Sequence, residues 1–279
     1  MNGTTTPTTP AATASSLARR RGIGSSLQQV FFGALGILSF LVLWWAAVTF
    51  TRVGLLMPSP IEVFKFFFRS FVEPIGKLTM TQHIWISFKR VMIGYLAGVI
   101  LGIICGAGMG VSKLFEAAFK PLFELLRPIP TIAWIPLAIL WFGSGEMTKY
   151  FIIFYGAFTT VTLNAYAGVR QADPTLIGAA KMLGAKDNQI LWKVILPSAI
   201  PNIAAGMQVG LSAGWMGLIA AEMVRSKEGL GWIVIMGQET ANMTQILAGM
   251  ITIAVMGLLL ATLMRYVEKE LCIWNTRQT

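Results

Sequence analysis

Residues 171–197 read QADPTLIGAAKMLGAKDNQILWKVILP, a polar interruption between two apolar runs at 149–169 and 197–223. Asp173 followed by Pro174 forms an N-cap with proline at the first helical position, where its missing N–H is one that the helix leaves unpaired anyway. Leu176, Ile177, Ala180 and Leu183 then fall at helical spacing, and Gly184 suits the left-handed position that ends a helix. The pattern predicts a two-turn amphipathic helix over 173–183, a second short helix over about 185–195, and Pro197 at the start of the next apolar run. Such a helix is either a plain connector or a handle, because a short apolar stripe held at a surface is what a partner's groove grips.

Outward from this stretch the chain is apolar on both sides. Of its 279 residues, 55% are hydrophobic and 12% are charged, against about 25% charged in soluble domains. A water-solvated domain of this size needs more surface charge, so lipid is the solvent. Crossing the hydrocarbon takes roughly 20 apolar residues. Segments of that kind are predicted at about 31–50, 84–109, 119–141, 149–169, 197–223 and 245–267. The fold class is an all-α integral membrane protein with six transmembrane helices over 31–270, and a large extramembrane domain is excluded.

An even number of spans places both termini on one side. Arg19, Arg20 and Arg21, with Arg170, Lys181, Lys186 and Lys193, favour the cytoplasm for that side. Residues 1–30, rich in Thr, Ala, Ser and Pro, are expected to form a disordered cytoplasmic tail, and 271–279 a cytoplasmic C-terminus. Residues 60–71 follow a capping Ser59 and mix five phenylalanines with Glu62, Lys65 and Arg69. Too short and too charged to cross, they read as a helix along the membrane interface.

Several chemistries are excluded. The net charge of +10 comes from basic residues scattered between apolar segments, which assemble no nucleic-acid face. Cys105 and Cys272 have neither disulfide nor metal spacing, and the lone His83 supports no histidine metal cluster or serine triad. No G-x-x-x-x-G-K-[ST] occurs, so the chain has no P-loop to cradle ATP phosphates.

The run Gly178-Ala179-Ala180-Lys181-Met182-Leu183-Gly184, nine residues, then Val194-Ile195-Leu196-Pro197 resembles the EAA loop of binding-protein-dependent ABC importer permeases. The spacing matches in full. Gly178 stands where the family has Glu, and Val194 where it has Ile. Leu56-Met57-Pro58-Ser59-Pro60, Ser87-Phe88-Lys89-Arg90-Val91, Arg127-Pro128-Ile129-Pro130 through Trp141-Phe142-Gly143, and Ala220-Ala221-Glu222-Met223 are similar to the nitrate, sulfonate, taurine and bicarbonate permease group.

The resemblance implies the type I ABC importer permease fold with a cytoplasmic coupling helix. This chain would be a non-catalytic, multi-pass permease subunit in the bacterial inner membrane, holding no cofactor itself. ATP and Mg would sit on separate cytoplasmic ATPase subunits, and an extracytoplasmic binding protein would deliver a small anion: nitrate, bicarbonate, taurine or an alkanesulfonate. An aromatic carboxylate or vitamin precursor is the alternative cargo. A second permease subunit, expected as a homodimer, completes the pathway by two-fold assembly. Coupling to the ATPase is implied for Asp173, Leu176, Ile177, Gly178, Ala179, Ala180, Leu183, Gly184, Leu196 and Pro197. A self-sufficient secondary transporter or channel would instead show inverted repeats or mid-membrane coupling carboxylates, and the sequence displays neither.

Polar groups at membrane depth are the candidates for a pathway. Arg127 heads a segment in which Pro128 and Pro130 remove backbone donors and break the helix. Arg127 either attracts an anion there, or snorkels to the edge or pairs with Glu124 on the same helical face. Thr160 and Asn164 in the fourth span, and Gln208 and Ser212 in the fifth, either line the pathway or join helix to helix, with Gly206, Gly210, Gly214 and Gly217 allowing close approach. Glu222, near the outer end of the fifth span, is expected in an ion pair or gate contact with Arg225.

Overall fold

The computed structural model describes the chain from Ala12 to Cys272; residues 1–11 of the expected tail and 273–279 of the expected C-terminus lie outside the described residues. Two compact units divide it, one ending at Glu62 and one starting at Val63. In the first, helix α1 runs Ala12–Phe50, and its apolar part, Val30–Phe50, is the first expected span. The tail was expected to be disordered as far as residue 30; instead 12–30 are helical. Extending an existing helix costs no nucleation, and Ala, Leu, Arg and Gln in this stretch propagate it well.

Helix α2, Pro60–Arg69, starts on a capping box. The Ser59 N–H donates to Glu62 Oε2 at 3.0 Å and the Glu62 N–H donates to Ser59 Oγ at 3.4 Å, so two orphan donors of the first turn are satisfied reciprocally.

The second unit is built around α6, Glu146–Arg170. On one side lies α3, Met80–Val111, and on the other α9, Leu196–Arg225. Five glycines of α3, at 94, 98, 102, 106 and 110, recur every four residues and so form one ridge. A Cβ added at Gly98 would stand 2.8 Å from both Ala157 Cβ and Phe154 O, and one at Gly102 would stand 2.9 Å from Val161 Cβ. The α9 side repeats the device, with Gly206 against Asn164, Gly210 against Val161 and Gly214 against Ile153. In lipid no hydrophobic force pulls helix to helix, so close backbone approach over small residues supplies the attraction. Ala157, Val161, Ile153, Leu211 and Leu218 fill the resulting core.

The third expected span, 119–141, is not one helix. Helix α4, Lys113–Leu126, and the segment Thr131–Phe142, which includes α5, Ile135–Phe142, meet at 90°. The cause is local. In a continuous helix the Leu126 carbonyl would accept from residue 130, which is a proline without an N–H. It accepts instead from Tyr155 Oη at 2.6 Å and from the Ile129 N–H at 3.1 Å.

Helix α7, Pro174–Met182, follows α6. The next helix was expected to end before a span starting at Pro197, but the chain instead runs as one 39-residue span, Asp187–Arg225. Its parts are α8, Asp187–Ile190, a π turn at Leu191–Ile195, and α9. Widening the helix by one residue just before Pro197 accommodates the ring and the missing donor there. Helix α10, Leu230–Glu239, forms in a stretch where no element was expected, and α11, Met243–Leu271, completes the unit. Among the described residues five helices are long and apolar enough to cross a membrane, and the bent pair makes six if it is one span. With no strand among the described residues, the chain is an all-α, multi-pass membrane protein.

Candidate functional site

The ends of α7 follow from its sequence. Asp173 Oδ1 accepts from the Thr175 N–H at 2.8 Å, and that bond, with the Thr175 hydroxyl, holds the Asp173 carboxyl below the usual carboxylate range. At the other end Gly184 adopts φ +78°. The Gly184 N–H donates to Lys181 O and the Ala185 N–H to Ala180 O, both at 3.0 Å, which is a Schellman closure.

Between these caps the helix offers apolar side chains to the outside. Leu176 is exposed, and Met182 and Leu183 are 91% and 89% exposed. Ile177, Gly178 and Ala180 are half-buried and Ala179 is exposed. Nothing lies within 4 Å of where a side chain would begin at Gly178 or Gly184. Leu196 and Pro197 stand apart from this helix, half-buried in the first turn of α9 beyond the π turn. Covering Leu176, Met182 and Leu183 with a partner would contribute about 5–9 kcal/mol of gross apolar transfer.

The pathway candidates divide between the break and the α6–α9 seam. Arg127, Pro128 and Pro130 are all exposed at the bend. Among the described residues no ion pair joins Arg127 to Glu124. The carboxylate engaged in this region is Glu116, which accepts from Tyr166 Oη and from Lys120 Nζ at 3.2 Å, with Arg170 at 3.9 Å. Thr160 Oγ1 donates to Gly156 O at 3.0 Å, Asn164 Nδ2 to Thr160 O at 2.9 Å, and Ser212 Oγ to Gln208 O at 3.3 Å. Each is bonded within its own helix. Asn164 packs against Gly206 in the seam, whereas Val209, Ser212 and Met216 form an exposed row on α9.

Glu222 has a different partner from the one expected. Arg225 is exposed, whereas Glu222 is wholly buried and paired with Arg90 of α3, Arg90 Nη1 donating to Glu222 Oε1 at 2.9 Å. Ser87 Oγ, one turn before Arg90, donates to the same carboxylate at 2.8 Å, and the Gly231 N–H donates at 2.9 Å. The geometry gives the reason. Ser87, Arg90 and Gly94 share one face of α3, so the ridge that packs on α6 carries Arg90 directly to the end of α9.

Arg90 also holds Glu146, the first residue of α6, through a fork in which Nε donates to Oε2 at 2.6 Å and Nη2 to Oε1 at 2.7 Å. It donates to Glu228 Oε1 at 3.1 Å and to the Glu228 carbonyl at 3.0 Å. Lys149 Nζ adds a bond to Glu146 at 2.7 Å. His83 closes the group: the Gly229 N–H donates to His83 Nδ1 at 3.0 Å, so the ring proton lies on Nε2 facing Ile75 O at 3.2 Å. Sequence reasoning named Glu222 but missed Arg90, Ser87, His83, Glu146 and Glu228 as its surroundings. The usable signal was an arginine and a glutamate, each set within an apolar segment, since neither is stable there without the other.

With this geometry in place, the chain can be compared with known proteins. Residues 98–271 match the family model described as binding-protein-dependent transport system inner membrane component. The taurine transport system permease protein TauC of Escherichia coli (strain K12) is 36% identical over 246 residues, covering 87% of this chain and 88% of that protein. The putative aliphatic sulfonates transport permease protein SsuC of Bacillus subtilis (strain 168) is 35% identical over 78% of each chain. A nitrate import permease protein NrtB, from Synechocystis sp., is 27% identical over 84% of this chain and 86% of that protein. Among solved structures, a chain of the MetNI methionine ABC transporter in an inward facing conformation superposes with a TM-score of 0.60 at 19% identity. The match covers 69% of this chain and 95% of that one, a likeness of fold.

Proposed function

The chain belongs to the binding-protein-dependent transport system inner membrane components and has the type I ABC importer permease fold, and from that premise we propose that it is the membrane half of an ATP-driven importer for a small anion. Taurine, an alkanesulfonate or nitrate is the cargo class named among its relatives. The chain is a non-catalytic permease. ATP and Mg are held by separate cytoplasmic ATPase subunits, and an extracytoplasmic binding protein presents the substrate.

The observation that carries this reading is α7, a capped two-turn helix that leaves Leu176, Met182 and Leu183 exposed among the described residues. A groove on the ATPase receives it, with Ile177, Gly178, Ala179 and Ala180 on the docked helix and Leu196 and Pro197 at the root of the following span. Closure of two ATPases on ATP displaces α7, and α6 and α9, joined through it, tilt to alternate access between the two sides. Both termini and α7 lie in the cytoplasm, and a second copy faces the exposed row Val209, Ser212 and Met216 across the pathway. Arg127, at the bend, faces that same pathway.

Co-expression with the neighbouring ATPase tests the reading. The wild-type chain should copurify with an ATP-hydrolysing subunit, and Leu183→Asp or Ala180→Arg should release it and abolish uptake. Uptake that persists in the complete absence of the ATPase would overturn it.

A further inference from the structure

Resting on the importer reading above, we infer that Arg90 is a coupling clamp. It is a positioning residue that makes the far ends of α3, α6 and α9 and the 226–230 turn move as one body, so that displacement imposed at α7 reaches α10. Four observations carry this inference.

The first is connectivity. Helices α6 and α9 are joined at one end through α7. At the other end both finish on the Arg90 guanidinium, α6 by its first residue Glu146 and α9 by Glu222 in its last turn. The second is the nature of the seams between those ends. Glycine notches on α3 and α9 seat Ile153, Val161 and Asn164 of α6 in close backbone approach, so the helices hold register along their length and pass a displacement on to their polar ends.

The third is the turn. The N–H groups of Gly229, Leu230 and Gly231 are taken by His83 Nδ1, Ser87 Oγ and Glu222 Oε2, at 3.0, 2.9 and 2.9 Å. Gly229 has φ +109°, and a Cβ there would overlap the Glu222 carboxylate. The start of α10 is thus pinned by side chains of α3 and α9. The fourth is an asymmetry of burial. The side chains of Arg90 and Glu222 are 2% and 0% exposed, whereas those of Glu146 and Glu228 are 45% and 43% exposed. Arg90–Glu222 is therefore a fixed pivot, and Glu228, whose carboxylate meets Arg90 Nη2 at the solvent-facing edge, ties the 226–230 turn to it. An enclosed pair of this kind touches no cargo, which separates the clamp from a pathway site.

The test uses the whole complex, permease with ATPase subunits and binding protein, in proteoliposomes. Uptake and ATP hydrolysis are measured together for wild type, Glu228→Gln and Arg90→Lys. The expected result is assembly with the ATPase at wild-type stoichiometry, continued hydrolysis, and uptake per ATP lowered at least threefold in both variants, with unchanged dependence on binding-protein concentration. An unchanged uptake-to-hydrolysis ratio would overturn the clamp. So would a loss of uptake explained by weaker dependence on the binding protein, which would make Glu228 part of a docking surface. If Arg90→Lys does not assemble, Glu228→Gln decides alone. A wild-type complex that transports without hydrolysing ATP would sink the importer reading itself, and the clamp with it.

Discussion

Replacing Arg90 by Met isolates the energetic weight of the far-end cluster. The thioether chain is close to the guanidinium stem in volume, so packing changes little and the loss is electrostatic. Glu222 would keep the Ser87 hydroxyl and the Gly231 N–H but lose its only cationic partner among the described residues, inside a site that admits no water to its side chain. Removing one member of a buried ion pair costs about 3–5 kcal/mol, because an uncompensated charge remains. Release of Glu146 adds little, since that carboxylate is nearly half exposed and retains Lys149. The double variant Arg90→Met, Glu222→Met removes both charges and should cost less than Arg90→Met alone. Equilibrium unfolding of the purified protein in mixed micelles, titrated with a denaturing detergent, reads each difference. A cost below about 1 kcal/mol for Arg90→Met, or a double variant less stable than that single one, would refute the reasoning that a desolvated charge dominates here.

Three further outcomes follow from other parts of the molecule. Gly98→Val places a Cβ 2.8 Å from Ala157 Cβ and Phe154 O. Helices α3 and α6 must separate, at a cost of at least about 1–3 kcal/mol, seen as loss of monodisperse protein on gel filtration, while Gly145→Ala, with open space around it, should be neutral. Tyr155→Phe strips Leu126 O of its 2.6 Å bond but leaves the Ile129 N–H, at a cost of about 0.5–1.5 kcal/mol, and amide exchange at the 127–130 bend should quicken. The Asp173 carboxyl is depressed by the Thr175 N–H, so its contribution to α7 is present above the ordinary aspartate pKa and is lost as pH falls through the lower folded value. Exchange protection of the first turn of α7 should therefore drop at acid pH in the wild type, and Asp173→Asn should flatten that dependence.

The two ends of α7 were legible because each is decided within a few residues. An Asp-Pro start and a glycine in the left-handed position specify caps without help from the rest of the chain. The apolar spans were legible for the same reason, as length and composition alone meet the demand of the hydrocarbon. The break at 127–130 could be anticipated from its prolines, but its 90° outcome could not, because the freed Leu126 carbonyl is satisfied by Tyr155, 29 residues away. What escaped depended on which helix faces which. The glycines of α3 declare a ridge only once α6 lies against them, and Glu222 has an arginine three residues away that looks like its partner until the fold brings Arg90 across 132 residues. Helix α10 escaped because its ten residues are too few to span, and its entry is held by long-range bonds from His83, Ser87 and Glu222 rather than by a cap of its own.

That division has a functional side. In the proposed importer, the helix that meets a separately folded ATPase is the one specified locally, so α7 would present the same surface while the helices behind it tilt. The far-end cluster is specified only by the assembled bundle, through charges drawn from α3, α6 and α9. On that proposal a change at Gly184 should disturb docking, whereas a change at Arg90 should be felt at the far ends of α3, α6 and α9.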